Sequence, residues 1–256
     1  MNGTFAQATI TQCTFQNNSA NLCGGGLYNL GASPLISQCV LTNNEAPTGG
    51  GIYNEMGSSA SSSAIPVILE CTFNSNTATS GGAIYSLISF SINQCIFRSN
   101  SSKDYGGAVY NKGYTSTIHG CMFIENTSTA GGGVWNSSSC PIITNSIFSG
   151  NSAATGGGLG STNLSDAMVD NCTFYNNSAK QLGGGLYNTS TLTAANCILW
   201  GNTAPEGTQV YGTVGHTPII TYSNIQGGWA GAGNINSDPL FENAAGEDFA
   251  LQAGSP

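Results

Sequence analysis

Hydrophobic and polar positions recur along the chain in one repeated sequence motif. A Cys, a variable residue and a Phe precede a polar stretch, which ends in paired glycines, an aliphatic residue and an aromatic one. The Cys position serves here as the anchor of each repeat: Cys13, Cys39, Cys71, Cys95, Cys121, Ser146, Cys172, Cys197 and, more weakly, Ser223. Most anchors are 24 to 26 residues apart. The one longer step contains residues 56–66 and predicts a surface loop inserted into one repeat.

The spacing and the periodicity together predict a solenoid made of strands. Cys-x-Phe alternates with period 2, as in a half-buried strand, and the polar segments have no helical period. The Leu frame of a leucine-rich repeat is absent. We therefore expect an all-β, single-stranded right-handed parallel β-helix of about eight coils. It would form a single domain over 1–256, with an incomplete first coil (1–12), regular repeats (13–212) and a degenerate last coil and tail (213–256).

Equivalent positions of successive coils stack about 4.8 Å apart in such a fold, so each sequence column becomes a ladder of like side chains. The Cys and Phe columns are expected to fill the core. Five residues after each of the first eight anchors stands an Asn: Asn18, Asn44, Asn76, Asn100, Asn126, Asn151, Asn177 and Asn202. Stacked Asn side chains can bond amide to amide along the axis. The glycines provide positive φ angles or room for a close backbone approach where the coil bends.

An aromatic column follows the aliphatic one: Tyr28, Tyr53, Tyr85, Tyr110, Trp135, Tyr187 and Tyr211, with Gly160 in one repeat. If the aliphatic residues point inward, alternation turns these rings outward. They would then form a binding stripe on which sugar rings or a protein partner could stack. The alternative is that a neighbouring segment folds over the rings, or that they pack as a second stack at a bend. Gly160 is expected to interrupt the row.

Seven of the nine cysteines lie in the anchor column. Strand spacing keeps stacked Cβ atoms farther apart than a disulfide needs, so we expect buried thiols that act as small hydrophobic side chains. Cys23 and Cys140 lie outside the column and could be free or paired. No spacing of a zinc site is present, and we predict neither metal nor cofactor.

Charge and composition restrict the partners. The chain has 4 Lys and Arg against 12 Asp and Glu, a net charge of −8, which disfavours nucleic acid and anionic membranes. No apolar run reaches the length of a membrane-spanning helix. The first residues, MNGTFAQATITQ, lack the features of a signal peptide. We expect a fragment of a longer protein, with the signal and anchor outside this chain.

The repeat resembles that of the chlamydial polymorphic outer-membrane proteins. The motif stands here as Phe73-Asn-Ser-Asn76 with Gly81-Gly-Ala-Ile84, and as Phe97-Arg-Ser-Asn100 with Gly106-Gly-Ala-Val109. The resemblance covers residues 10–212, and the tail 238–256 is similar to the closing segment of bacterial surface β-helix proteins. It implies a secreted or surface-displayed, non-enzymatic passenger used in adhesion or in binding a glycan or host protein.

An enzyme is the alternative, because polysaccharide lyases and glycoside hydrolases also use the pectate lyase-like β-helix. Of the four cations, Arg98, Lys103, Lys112 and Lys180, the first two share a coil but not a column. His119 and Asp170 share a column but are two coils apart, too far for a direct hydrogen bond. The acidic residues of the tail, among them Glu247 and Asp248, are expected to form a polar turn and cap rather than a calcium site.

Overall fold

The computed structural model describes residues 7–57, 64–163 and 165–256. It confirms the predicted fold class: the described chain is an all-β parallel solenoid of about eight coils. Most of the predicted inserted loop, residues 58–63, lies outside the described residues.

The chain passes in turn through four stacks of parallel strands, which are called sheets A to D in that order. The strands of sheet A precede the anchors: Thr9–Thr11, Leu35–Ser37, Val67–Leu69, Ser91–Asn93, Thr117–His119, Ile142–Thr144, Ala167–Asp170, Leu192–Ala195 and Ile219–Thr221. The strands of sheet B follow the anchors: Thr14–Gln16, Val40–Thr42, Thr72–Asn74, Ile96–Arg98, Met122–Ile124, Ile147–Ser149, Thr173–Tyr175, Ile198–Trp200 and Asn224–Ile225.

Sheet C lies between the Asn column and the glycines and has a gap at one coil. Its strands are Glu45–Thr48, Thr77–Ser80 and Ser101–Tyr105, then Ser152–Thr155 and Ser178–Leu182. The strands of sheet D follow the glycines: Leu27–Leu30, Ile52–Glu55, Ile84–Ser86, Val109–Lys112, Val134–Ser137, Leu159–Thr162, Leu186–Asn188 and Val210–Gly212. A 3₁₀ turn, Ala244–Gly246, joins the two strands of a C-terminal hairpin, Phe241–Asn243 and Asp248–Leu251.

The strands pair in parallel with like residues opposite one another, which turns the sequence columns into ladders. Phe73 lies opposite Phe97, which lies opposite Phe123, and these fully buried rings stack with centroids 4.7 and 4.8 Å apart. A second core column stands three residues before the anchors and was not predicted: Ile10, Ile36, Ile68, Ile92, Ile118, Ile143, Val169, Ala194 and Ile220. The core therefore has apolar ladders on the inner faces of sheets A and B, and the aliphatic column of sheet D, fully buried at Ile84 for example, belongs to the same cluster.

Glycine serves both predicted purposes at the bend before sheet D. Gly81 has φ +65°, in the left-handed region that glycine enters without strain. At Gly82 the backbone approaches the next coil so closely that an added Cβ would lie 2.1 Å from the Gly107 carbonyl oxygen. A side chain at Gly82 would therefore push neighbouring coils apart.

The anchor thiols pack in the core as expected, except for the exposed first one, Cys13, and they also make hydrogen bonds. All nine cysteines are free. The Cys39 backbone N–H donates to Cys71 Sγ at 3.4 Å, and Cys71 Sγ donates to the Leu69 carbonyl oxygen at 3.3 Å. Ser146 takes the same place, because its hydroxyl accepts from the Cys121 N–H at 3.1 Å. A serine therefore substitutes for an anchor cysteine without leaving that N–H unpaired.

The C-terminal hairpin folds back along the solenoid instead of only closing its end. Arg98 donates two hydrogen bonds to the Glu247 carboxylate, at 2.6 and 2.7 Å. Tyr175 makes edge-to-face contacts with Phe241 and Phe249. Because Arg98 and Tyr175 stand on the outer face of sheet B, the hairpin covers that face across several coils.

Candidate functional site

The predicted aromatic stripe lies on the outer face of sheet D, but its middle is buried. Tyr53, Tyr85, Tyr110 and Trp135 are only 6–9% exposed, whereas Tyr28 at the N-terminal end is 48% exposed. Tyr187 and Tyr211 are partly exposed. The four central rings form a second apolar cluster with Leu87 and with two residues that directly precede the glycines, Cys23 and Ala130. The packed alternative therefore describes the middle of the column, and an accessible ring remains at its N-terminal end.

Tyr105, which ends a strand of sheet C, is one of the covering residues. Its ring centroid lies 5.2 Å from that of Tyr110 and 5.9 Å from that of Trp135. The polypeptide between the Asn column and the glycines therefore bends over the aromatic rings. These contacts help to remove the rings of Tyr110 and Trp135 from solvent.

The expectation that Gly160 interrupts the row is wrong. The indole of Trp135 lies over Gly160, where an added Cβ would meet the ring at 2.2 Å. Trp135 thereby stacks on Tyr187 two coils away, with centroids 5.9 Å apart and an interplanar angle of 16°. Tyr187 in turn stacks on Tyr211 at 5.6 Å. Because the large ring of Trp135 occupies the space beside Gly160, the aromatic column continues through this coil.

Glu55 ties the exposed end of the column together. Its carboxylate accepts hydrogen bonds from the hydroxyls of both Tyr28 and Tyr53, the latter at 3.1 Å. The hydrogen bond to Glu55 is the main reason that the pKa of Tyr28 rises to about 12. Burial, followed by the charge of Glu55, raises the pKa of Tyr53 well above its usual range. Both phenols are therefore neutral hydrogen-bond donors at physiological pH.

The Asn ladder is present as predicted, and its members are buried from Asn44 onward. Asn100 shows the repeating pattern. Its backbone N–H and its side-chain Nδ2 both donate to Asn126 Oδ1, at 2.9 and 3.0 Å, and Nδ2 also donates to the Phe73 carbonyl oxygen at 3.0 Å. The ladder thus binds each coil to its neighbours on both sides. Its role is structural, because the side-chain amides make their hydrogen bonds within the solenoid itself.

A second buried polar column, directly after the aromatic residues, was missed: Asn29, Asn54, Ser86, Asn111, Asn136, Ser161 and Asn188. Asn111 Nδ2 donates to Asn136 Oδ1 at 3.3 Å, and Asn29 makes the same contact with Asn54 at 3.2 Å. The sequence does mark this column, because an Asn or Ser directly follows most of the aromatic residues.

A groove of about 720 Å³ runs along the outside of sheet C across five coils. It is lined by the residues six to eight places after the anchors: Ser19, Ala20, Asn21, Glu45, Ala46, Pro47, Thr77, Ala78, Thr79, Ser101, Ser102, Lys103 and Thr127. The sequence interpretation did not identify this groove. The sequence feature that marks the groove is the column six places after each anchor, which is Ser or Thr in every regular repeat except for Glu45.

The charged residues considered for catalysis are not brought together. His119 Nδ1 lies 2.8 Å from Thr144 Oγ1, and Asp170 accepts from Asn196 at 2.8 Å. Strand pairing places Thr144 between His119 and Asp170, so the two are two coils apart as expected. Among the described residues, no group of three or more His, Cys, Asp and Glu side chains could hold a metal ion.

The buried anchor thiol of Cys197 also lacks the chemistry of a reactive site. Burial is the largest cause of the raised pKa of Cys197, which reaches about 12. The thiolate, which is the nucleophilic and metal-binding form, is therefore scarce at neutral pH.

Comparison with known families finds the Chlamydia polymorphic membrane protein repeat at residues 12–30, 70–87, 94–112 and 171–189. Each match runs from the anchor region through the Asn column and the glycines to sheet D. No curated protein and no solved structure matches the chain significantly. The described part of the chain contains no helix that is long and apolar enough to cross a membrane. The chain is a parallel β-solenoid in which four of the coils match the Chlamydia polymorphic membrane protein repeat.

Proposed function

We propose that this chain is part of an extracellular or surface-displayed passenger that acts in adhesion by binding a glycan or a protein along its side wall. The repeat family supports the location, because it is surface-associated. It also supports a non-enzymatic role, because the family is not known for enzymatic activity. The passenger has no catalytic role in this proposal.

The observation that carries the proposal is the distribution of polar groups. The inner amides are committed to axial ladders, whereas the long outer wall presents neutral hydroxyl and amide groups and a groove across five coils. Within the described residues the one ion pair joins Arg98 to Glu247 and holds the tail. A neutral hydrogen-bonding wall suits recognition of sugars or of polar protein surfaces more than it suits acid–base catalysis.

Tyr28 is the part of the aromatic column that can take part in this binding. Its ring is half-exposed and is held in place by Glu55. The exposed leucines Leu22 and Leu30 lie in the same coil. An oriented ring of this kind can stack on a sugar face or on an apolar side chain.

The test is a binding screen of the purified chain on a broad glycan array and on cultured host cells. A Tyr28→Ala variant would be compared with a Tyr222→Ala variant, which removes an exposed ring outside the column. Saturable binding of the native chain supports the proposal, and weaker binding of Tyr28→Ala alone assigns Tyr28 to the surface. Absence of binding to both glycans and cells would contradict the proposal. Release of shortened glycans or unsaturated sugar ends would favour the enzyme instead.

A further inference from the structure

We propose that the groove on sheet C binds a linear, uncharged glycan that lies parallel to the solenoid axis with one sugar ring beside each coil. This inference rests on the proposed function and names the ligand class and the surface that would serve it. The groove is distinct from the aromatic column, which lies on sheet D.

The first argument is the continuity of the groove along the axis. The residues six places after the anchors pair in register from coil to coil: Ser19, Glu45, Thr77, Ser101, Thr127, Ser152, Ser178 and Thr203. The hydroxyls can contact one another along this column, as Ser178 Oγ does with Ser152 Oγ at 3.1 Å. A ligand in the groove therefore meets a similar hydroxyl or backbone group at every coil.

The second argument is charge. Glu45 and Lys103 are the charged residues that line the groove, and their formal charges cancel. An acidic polysaccharide or a basic peptide would gain no net attraction from this surface, although the chain as a whole has a net charge of −8. The lining instead provides donors and acceptors that match the hydroxyl groups of a neutral sugar.

Ser102 supplies an independent observation at the same place. Its hydroxyl is buried and has no hydrogen-bond partner among the described residues, and the residue lines the groove. The equivalent position is Ala in the two preceding coils, at Ala46 and Ala78. A buried hydroxyl without a partner costs free energy, and rotation of the Ser102 side chain toward a ligand in the groove would recover it.

The third argument is the spacing. Coils repeat about every 4.8 Å, whereas an extended polypeptide advances about 3.3 Å per residue and falls out of step with them. One pyranose ring of an extended glycan advances by nearly the spacing of one coil. A glycan can therefore keep one ring beside each coil, and an extended peptide cannot keep one residue there.

The lining contains no aromatic residue, so each ring would be held mainly by hydrogen bonds. Each such bond adds only about two- to tenfold to the affinity, which predicts weak binding that strengthens as rings are added. The increase should end at about five rings, one for each coil of the groove. Because the ligand is uncharged, added salt should change the affinity little.

The experiment uses isothermal titration calorimetry of the full chain with β-1,4-linked glucose and N-acetylglucosamine oligomers, from disaccharide to hexasaccharide. Thr77→Tyr places a bulky ring in the centre of the groove. Thr203→Tyr is the matched control, because Thr203 is an exposed threonine of the same column outside the groove lining. We expect Thr77→Tyr to weaken pentasaccharide binding by about tenfold or more, and Thr203→Tyr to leave it unchanged.

Several outcomes would overturn the inference. These are equal effects of the two variants, an affinity that stops rising at the disaccharide, and tighter binding of an acidic galacturonic acid oligomer of equal length. Binding of the chain to host cells without binding of any neutral oligomer overturns the groove inference and leaves the proposed function standing. Absence of binding to both overturns the two together.

Discussion

The Asn ladder gives a quantitative prediction for the substitution Asn126→Leu. The Asn126 side chain is fully buried and makes four hydrogen bonds. Its Oδ1 accepts from the N–H and Nδ2 of Asn100, and its Nδ2 donates to Asn151 Oδ1 and to the Phe97 carbonyl oxygen, each at 2.9–3.0 Å. Leucine has a similar size and can make none of them.

The expected loss in the free energy of unfolding follows from the groups that lose a hydrogen-bond partner. The Asn100 backbone N–H is left buried and unpaired, which costs about 1–3 kcal/mol. The three other lost bonds cost about 0.5–1.5 kcal/mol each. The larger apolar surface buried by leucine recovers about 2 kcal/mol. The net destabilisation is therefore about 3 kcal/mol.

Asn18→Leu is the matched control, because Asn18 begins the ladder and is exposed. Among the described residues its side chain donates only to Asn44 Oδ1, which also accepts from the Asn18 backbone N–H at 3.1 Å and therefore keeps a partner. This variant should lose at most about 1 kcal/mol.

Urea unfolding followed by far-UV circular dichroism measures both variants, with the midpoint shift converted through the slope of the transition. A shift for Asn126→Leu no larger than that for Asn18→Leu would refute the view that axial amide bonds hold the coils together.

Three further predictions test the bends, the tail and the thiols. Gly107→Ala should lower the free energy of unfolding by about 1–3 kcal/mol or more, since its Cβ would lie 2.1 Å from a carbonyl oxygen of the next coil; an unchanged urea midpoint would contradict the close approach. Arg98, through its hydrogen bonds, lowers the pKa of Glu247, so the pair's stabilisation is complete above the ordinary carboxyl pKa and is lost as the pH falls through the depressed value. Proteolysis of the tail should therefore accelerate in acid, and a Glu247→Gln variant, already lacking the pair, should not share this pH dependence. In native protein a thiol reagent should modify exposed Cys140 rapidly and buried Cys121 slowly, and equal rates would contradict the packed anchor column.

The ladders could be predicted from the sequence because a solenoid repeats each environment in every coil. An Asn at the same place in eight repeats reports one recurring set of hydrogen bonds, as Asn100 and Asn126 illustrate. The Phe column is predictable for the same reason, since each ring stacks on its own equivalent. Local alternation and fixed spacing were sufficient for these features.

Contacts between different columns could not be predicted in this way. Whether Tyr110 is exposed depends on the bend that brings Tyr105 over it, and alternation alone cannot give that bend. The ion pair between Arg98 and Glu247 joins residues 149 positions apart, and the tail is not part of the repeat. Trp135 fills the space beside Gly160 only because the two stand in adjacent coils. Each case depends on packing between segments that share no repeat pattern.

These packing contacts also determine where recognition can occur. The outer face of sheet D is largely covered by its own rings and by the segment that bends over them. The outer face of sheet B is covered over several coils by the C-terminal hairpin. Sheet A exposes separate apolar residues such as Met168 and Ile219, whereas sheet C has the continuous hydroxyl column and the groove. A long ligand needs the same contact at successive coils, and sheet C is the face that offers it.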